Sequence, residues 1–190
     1  MPRIKPAEKH ELDSATATTL DAVGKKLGMV PNLFSTLAHA PVALTSYLGL
    51  SDNLSGGELT AQQREIVALA VAQCNQCQYC LSAHNLMAKG AGLSEEDIVK
   101  ARKGDAYDTL NQTIAAFASE VTESRGVITD EAFNLYVGQG LSTALMIEIM
   151  ANVALNLLTN YINHLADTRG FQRTGSSCRR SHWGVNDLSP

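Results

Sequence analysis

No stretch of this chain alternates apolar and polar residues as a half-buried strand would, whereas apolar residues recur at intervals of three and four between Ser14 and Leu165. Side chains at those intervals share one face of an α-helix, so the pattern restricts the chain to an all-α fold. The punctuation agrees with the period. Leu20, Val23 and Leu27 mark a helix over 14–27, which Gly28 closes before Pro31 breaks the chain. Short helices are expected at 32–38 and 42–50, ahead of the Ser55-Gly56-Gly57 turn. Thr60 with Gln63 three residues on is a capping-box signature for a helix through Val71, packed by Ile66, Leu69 and Ala70. The next helix is expected over 76–89, stopped by Gly90 and Gly92, and Ser94 with Asp97 starts another. Segments 107–123, 130–137 and 142–165 complete the set.

With 190 residues, 45% of them apolar, the chain can bury a normal core as one domain and needs no disulfide scaffold. The longest apolar run, 141–158, is interrupted by Glu148, Asn152 and Asn156, which argues against a membrane span and for a central core helix. Three of the four cysteines fall between positions 74 and 80, unlike a secreted disulfide framework, and the first 21 residues are polar and mixed in charge, unlike a signal peptide. A reducing, cytoplasmic setting is expected. From Arg169 onward helical periodicity is lost, and four arginines face one aspartate, so this tail is +3 and residues 1–168 carry -7 of the net -4. An acidic body repels phosphate backbones, so nucleic acid is not an expected partner. The expected organisation is a helical domain over 1–168 and a polar basic tail over 169–190 that is poorly ordered.

The chemistry concentrates in Cys77-Gln78-Tyr79-Cys80-Leu81-Ser82-Ala83-His84, two thiols and an imidazole at helical spacing. Residues three apart on a helix are neighbours, with Cα atoms about 5 Å apart, within the range a disulfide tolerates. His84 falls one turn beyond Cys80 and farther from Cys77, so the two cysteines should differ in role. A free thiol with a pKa of about 8.5 is only a few per cent thiolate at pH 7, and the thiolate is the nucleophile. Full ionisation gains about thirtyfold, or roughly 2 kcal/mol, so greater acceleration must come from positioning and proton transfer.

Blander readings stand beside this one. Two cysteines in a helix can be small buried hydrophobes. Glu65 alone reads as helix electrostatics or an ion pair with Arg64, and His84 alone as a surface or core histidine. His164, with Asn163, reads as structural or interfacial, with a lesser prospect of facing the site. Glu148 should pair with a basic group or turn to an oligomer interface. His10, His39 and His182 carry no signal. Cys74 lies three before Cys77 and offers a competing pair, unless a break separates the helices between Cys74 and Gln76. Cys74, Cys77, Cys80 and His84 together suggest a metal, but one continuous helix spreads them over about 15 Å, too far to close around one ion, so no metal is expected.

Glu65, eleven intervening residues, Cys77-x-x-Cys80 and three residues to His84 resemble the signature of the AhpD-like alkylhydroperoxidases, within the carboxymuconolactone decarboxylase superfamily. The flanks Met29-Val30-Pro31-Asn32-Leu33-Phe34, Leu59-Thr60, Arg64-Glu65-Ile66-Val67-Ala68-Leu69 and Asn160-Tyr161-Ile162-Asn163-His164 extend the resemblance over roughly residues 31–168. It implies an all-α bundle of about eight helices. It also implies a homo-oligomer, commonly a trimer or hexamer, and reduction of hydrogen peroxide or organic hydroperoxides by a cysteine pair. Cys80 corresponds to the peroxidatic thiol, Cys77 to the resolving thiol, and Glu65 with His84 to a proton relay. Tyr79 departs from the pattern, standing where the best-studied type of member has a relay histidine, and tyrosine is a poor base near neutral pH. Tyr79, which can still donate or orient a hydrogen bond, and His164 are candidate auxiliaries. No bound cofactor is implied; the reductant is an external dithiol, of lipoyl type or carried on a lipoylated protein. The other readings on this fold are a redox sensor, an oligomeric structural protein and a decarboxylase-type reaction.

Overall fold

The computed structural model describes residues 1–170. Nine α-helices make up this part of the chain after a 3-10 turn at Lys9–Glu11: α1 Ser14–Leu27, α2 Asn32–Leu37, α3 Pro41–Ser55, α4 Ala61–Cys74, α5 Gln78–Gly90, α6 Glu95–Arg102, α7 Thr109–Glu123, α8 Asp130–Gly138 and α9 Thr143–Ala166. The bundle therefore has one helix more than the expected eight, and no strand occurs among the described residues.

Short polar side chains start most of these helices. Asp13, Thr60, Ser94, Asp108, Thr129 and Ser142 each accept a backbone N–H from the third residue beyond, satisfying donors that a helix start leaves open. The capping box read from the sequence, Thr60 with Gln63, is reciprocal, and the helix start at Ser94 with Asp97 is a second such box. The expected helix 42–50 is too short, because α3 runs on to Ser55. Nothing between 51 and 55 breaks a helix, and the last turn closes only when Gly56 donates to the Asn53 carbonyl and Gly57 to the Leu54 carbonyl.

The hub is α4. Every residue from Ile66 to Ala72 is buried, because α5, α6, α7 and α9 pack around it. Ile66 and Leu69 join a cluster with Leu37, Leu44 and Leu81, and Val67 and Val71 join a second with Ile114, Phe117, Ile149 and Val153. A helix apolar on all sides is a core helix, and this one delivers Glu65 to the interior from one end and the chain to the cysteines from the other.

By length and apolarity α9 is comparable to a membrane span. Its polar side chains nevertheless point into the protein: Asn152, Asn156, Asn160 and Asn163 are buried. The Asn152 amide donates to the Glu148 carbonyl and the Asn156 amide to that of Asn152, while Asn160 Oδ1 accepts from Asn75 at 3.0 Å. Glu148 forms no ion pair among the described residues. Its carboxylate accepts the backbone N–H groups of Glu58 at 2.7 Å and Leu59 at 2.9 Å, holding the turn that leads into α4. A Cβ at Gly57 would overlap that carboxylate, so the Gly-Gly turn is a close approach as well as a helix stop.

The basic tail falls almost wholly on residues 171–190, outside the described residues.

Candidate active site

The site forms where α4 hands over to α5. Gln76 takes a left-handed φ of 54°, turning the chain so that the Cys77 N–H reaches the Ala72 carbonyl at 2.9 Å. The expected helix 76–89 is thereby corrected: α5 begins at Gln78, and Cys77 is its N-cap, with its sulfur accepting the Cys80 N–H at 3.4 Å. Cys77 and Cys80 are joined as a disulfide with Cα atoms 5.3 Å apart. Both are buried. The same break turns Cys74 away toward α7, where its sulfur lies 3.7 Å from Glu123 Oε1. Burial and that carboxylate push the Cys74 thiol up, which makes it a poor nucleophile and no competitor for Cys77.

Glu65 and His84 come together from successive helices, with His84 Nδ1 at 2.9 Å from Glu65 Oε2. Each side chain keeps only about a sixth of its surface exposed, 16% for His84 and 17% for Glu65. A carboxylate accepts, so Nδ1 carries the proton, which leaves Nε2 as the basic end of a neutral imidazole. Arg64 plays no part in this pair; its guanidinium donates to the Leu59 carbonyl at 2.5 Å. Tyr47 on α3 lies within the field of Glu65, and burial together with that charge pushes its hydroxyl up to about 12. It stays a neutral phenol over the working range of a protein.

Tyr79 is buried, and its hydroxyl accepts the Leu33 N–H at 3.4 Å at the start of α2. Burial raises its pKa above the usual tyrosine value, so the side chain buttresses α2 and is not a base. His164 is exposed on α9 and lines a pocket of about 310 Å³ with Gln76, Cys77, Gln78, Tyr79 and Asn163. The pocket reaches the Cys77 side of the disulfide.

Sequence reasoning named Asn163 only beside His164, as structural or interfacial, and gave it no role at the sulfurs. This side chain is 4% exposed, and its Nδ2 lies 3.2 Å from the Cys80 sulfur. Its Oδ1 is buried without a hydrogen-bond partner. The signal was present: Asn152, Asn156, Asn160 and Asn163 repeat at four, four and three residues, so Asn163 shares their buried face and His164 steps off it.

Residues 41–123 match the carboxymuconolactone decarboxylase family, and that segment spans α3 to α7 with Glu65, both site cysteines and His84. No curated protein matches the chain. Among solved structures, the alkylhydroperoxidase AhpD core of an uncharacterized peroxidase-related protein from Ralstonia eutropha JMP134 is similar with a TM-score of 0.79 and 24% identity, over 88% of this chain and 91% of that one. An uncharacterized peroxidase-related protein from Silicibacter sp. TM1040 is similar with a TM-score of 0.76 and 20% identity, over 87% and 88%. The debrominase Bmp8, solved in complex with 2,3,4-tribromopyrrole, is similar with a TM-score of 0.73 and 19% identity, over 87% and 90%. These likenesses establish an AhpD-like fold, and the debrominase shows that the fold hosts more than one activity.

Proposed function

We propose that this chain, which carries the AhpD-like fold of the carboxymuconolactone decarboxylase family, is a thiol-dependent peroxidase acting on hydrogen or organic hydroperoxides. The observation that carries this reading is the buried Cys77–Cys80 disulfide at the start of α5 with the Glu65–His84 pair one turn on. In the reduced protein His84 takes the Cys80 thiol proton at Nε2. The thiolate attacks the peroxide, the O–O bond breaks, and Cys80 becomes a sulfenic acid. His84 returns its proton to the departing alkoxide or hydroxide, and Glu65 stabilises the imidazolium between the two transfers. The Cys77 thiol then displaces water from the sulfenic acid and forms the disulfide, which an external dithiol, free or on a lipoylated protein, reopens. Hydride or metal cofactors have no part in this cycle, and the cytoplasm is the compartment in which such a dithiol pool is maintained.

The test is consumption of cumene hydroperoxide driven by dihydrolipoamide. Many turnovers per protein are expected, and Cys80→Ser and Cys77→Ser should each abolish them. Full activity in Cys80→Ser would remove the mechanism. A single stoichiometric oxidation without turnover would instead favour a sensor.

A homo-oligomer belongs to the same reading. On α9, Ile147, Leu158, Tyr161 and Leu165 are 66%, 40%, 58% and 59% exposed. With the exposed Ala154 they fall on one stripe, Ile147 seven residues before Ala154 and then steps of four, three and four, the spacing by which one helix packs along another. A second copy of this chain is the occupant inferred for that stripe. Sedimentation of the protein should give an assembly, and Leu158→Glu with Leu165→Glu should reduce it to monomer; an unaltered sedimentation coefficient would exclude the stripe.

A further inference from the structure

The two sulfurs of the disulfide sit in different surroundings. Cys77 lines the 310 Å³ pocket with Gln76, Gln78 and His164, whereas Cys80 is not among the lining residues. Cys80 instead has the buried Asn163 amide against its sulfur, with Nδ2 at 3.2 Å. Cys77 also receives a donor, the Cys80 backbone N–H, at the longer distance of 3.4 Å. An incoming thiolate must reach one sulfur along the bond axis while the other departs with the electron pair, and a sulfur leaves faster when its thiolate is stabilised. The pocket, and not overall exposure, which is 1% for Cys77 and 3% for Cys80, selects Cys77 for attack. The amide donor selects Cys80 for departure.

We propose that the pocket beside Cys77 admits a slender dithiol reductant, that Cys77 is the sulfur it attacks, and that Asn163 holds the departing Cys80 thiolate. The inference deepens the dithiol cycle above and rests on it for its place in turnover. In the first step the monothiolate of the dithiol bonds to Cys77 Sγ, the Cys77–Cys80 bond breaks, and Cys80 leaves as a thiolate under Asn163 Nδ2. In the second, the reductant's other thiol loses its proton to solvent and attacks its own sulfur in the mixed disulfide. The reductant leaves as a cyclic disulfide, and Cys77 departs and takes up a proton. Two electrons pass to the protein, and Cys80 is left as a thiolate that takes up the proton it then shares with His84 in the cycle above. Asn163 Oδ1, buried and unpartnered, lies on the same amide that lines the pocket and supplies an acceptor for the second S–H of a seated dithiol, which a monothiol does not have.

The experiment uses the oxidised protein and no peroxide, so that its outcome is independent of peroxidase activity. Glutathione is mixed in excess with the full chain, the reaction is quenched with acid within the first turnover, and the adduct is located by fragmentation of the peptide that holds both cysteines. Glutathione on Cys77 is expected. Adduct on Cys80, or equal amounts on both, would overturn the inference. Rapid mixing with dihydrolipoamide should show thiol release slowed roughly tenfold in Asn163→Leu, the effect of losing one hydrogen bond to a charged group, with the preference for Cys77 eroded. Unchanged rate and preference in a folded Asn163→Leu would remove its role, and Asn163→Asp, isosteric but without the donor, repeats the test if the leucine variant does not fold. Filling the pocket with Gln78→Trp should slow dihydrolipoamide more than 2-mercaptoethanol; equal slowing would place the entry elsewhere. A protein that exchanges through Cys77 yet consumes no hydroperoxide would keep this inference and lose the peroxidase reading.

Discussion

Replacing Glu65 by glutamine is expected to lower hydroperoxide turnover by about a hundredfold or more while leaving the disulfide able to form with a chemical oxidant. A positioned acid-base group contributes about 10² to 10⁴ in rate. Glutamine keeps the shape of the side chain but can neither demand the Nδ1 proton nor balance an imidazolium. His84 would then lose both its tautomer and the stability of its cation. His84→Ala should cost a similar factor, and the double variant should be little slower than either single one, because the two side chains share one 2.9 Å contact and act as a unit. The measurement is kcat for cumene hydroperoxide with dihydrolipoamide across pH, and additive losses in the double variant would show that the pair does not work as a relay. Tyr47 provides a control. It lies near Glu65, and burial with that charge pushes its hydroxyl up to about 12, so Tyr47→Phe should leave the shape of the pH profile unchanged between pH 6 and 9.

The second large effect is on stability. Glu148→Ala is expected to cost about 2 to 3 kcal/mol, because it strands the Glu58 and Leu59 N–H groups and removes hydrogen bonds to a charged acceptor. For a domain of this size that corresponds to a fall of roughly 5 to 10 °C in the melting temperature by calorimetry. Glu148→Gln retains one carbonyl oxygen and should recover part of the loss. Gly57→Val addresses the same contact from the other side, since its Cβ meets the Glu148 carboxylate, and it should destabilise the wild-type protein more than the Glu148→Ala variant. Equal effects of Gly57→Val in the two backgrounds would show that the contact does not hold the turn. The position of α4 depends on that turn, so the less stable variants should also lose thiol reactivity at temperatures below their melting point.

The helices were legible because their signals are local. Apolar spacing, a cap three residues before its partner N–H, and glycines after the last turn all act within one or two turns. The expected boundaries of α1, α7, α8 and α9 therefore lie close to the observed ones. Cys77, Cys80 and His84 were legible from spacing, since Cys-x-x-Cys and the histidine four residues on lie within two turns, whereas Glu65 was joined to His84 only through the family resemblance. The sequence by itself determined an all-α chain with a dithiol and an imidazole at helical spacing.

Tertiary structure decided the rest. The start of α5 was misplaced by two residues because Gln76 adopts a left-handed backbone, a conformation imposed by the packing of α4 against α5 and not one that a glutamine announces. Glu148 reads as an ion-pair partner along the chain, yet its partners are two backbone amides about ninety residues away. Asn163 looked like a neighbour of His164 until folding laid α9 across the disulfide, 83 residues distant in sequence from Cys80. Periodicity records which residues share a helix face, because that is fixed by 3.6 residues per turn. Which face meets which sulfur depends on how helices far apart in the chain pack together, and no local pattern carries that information.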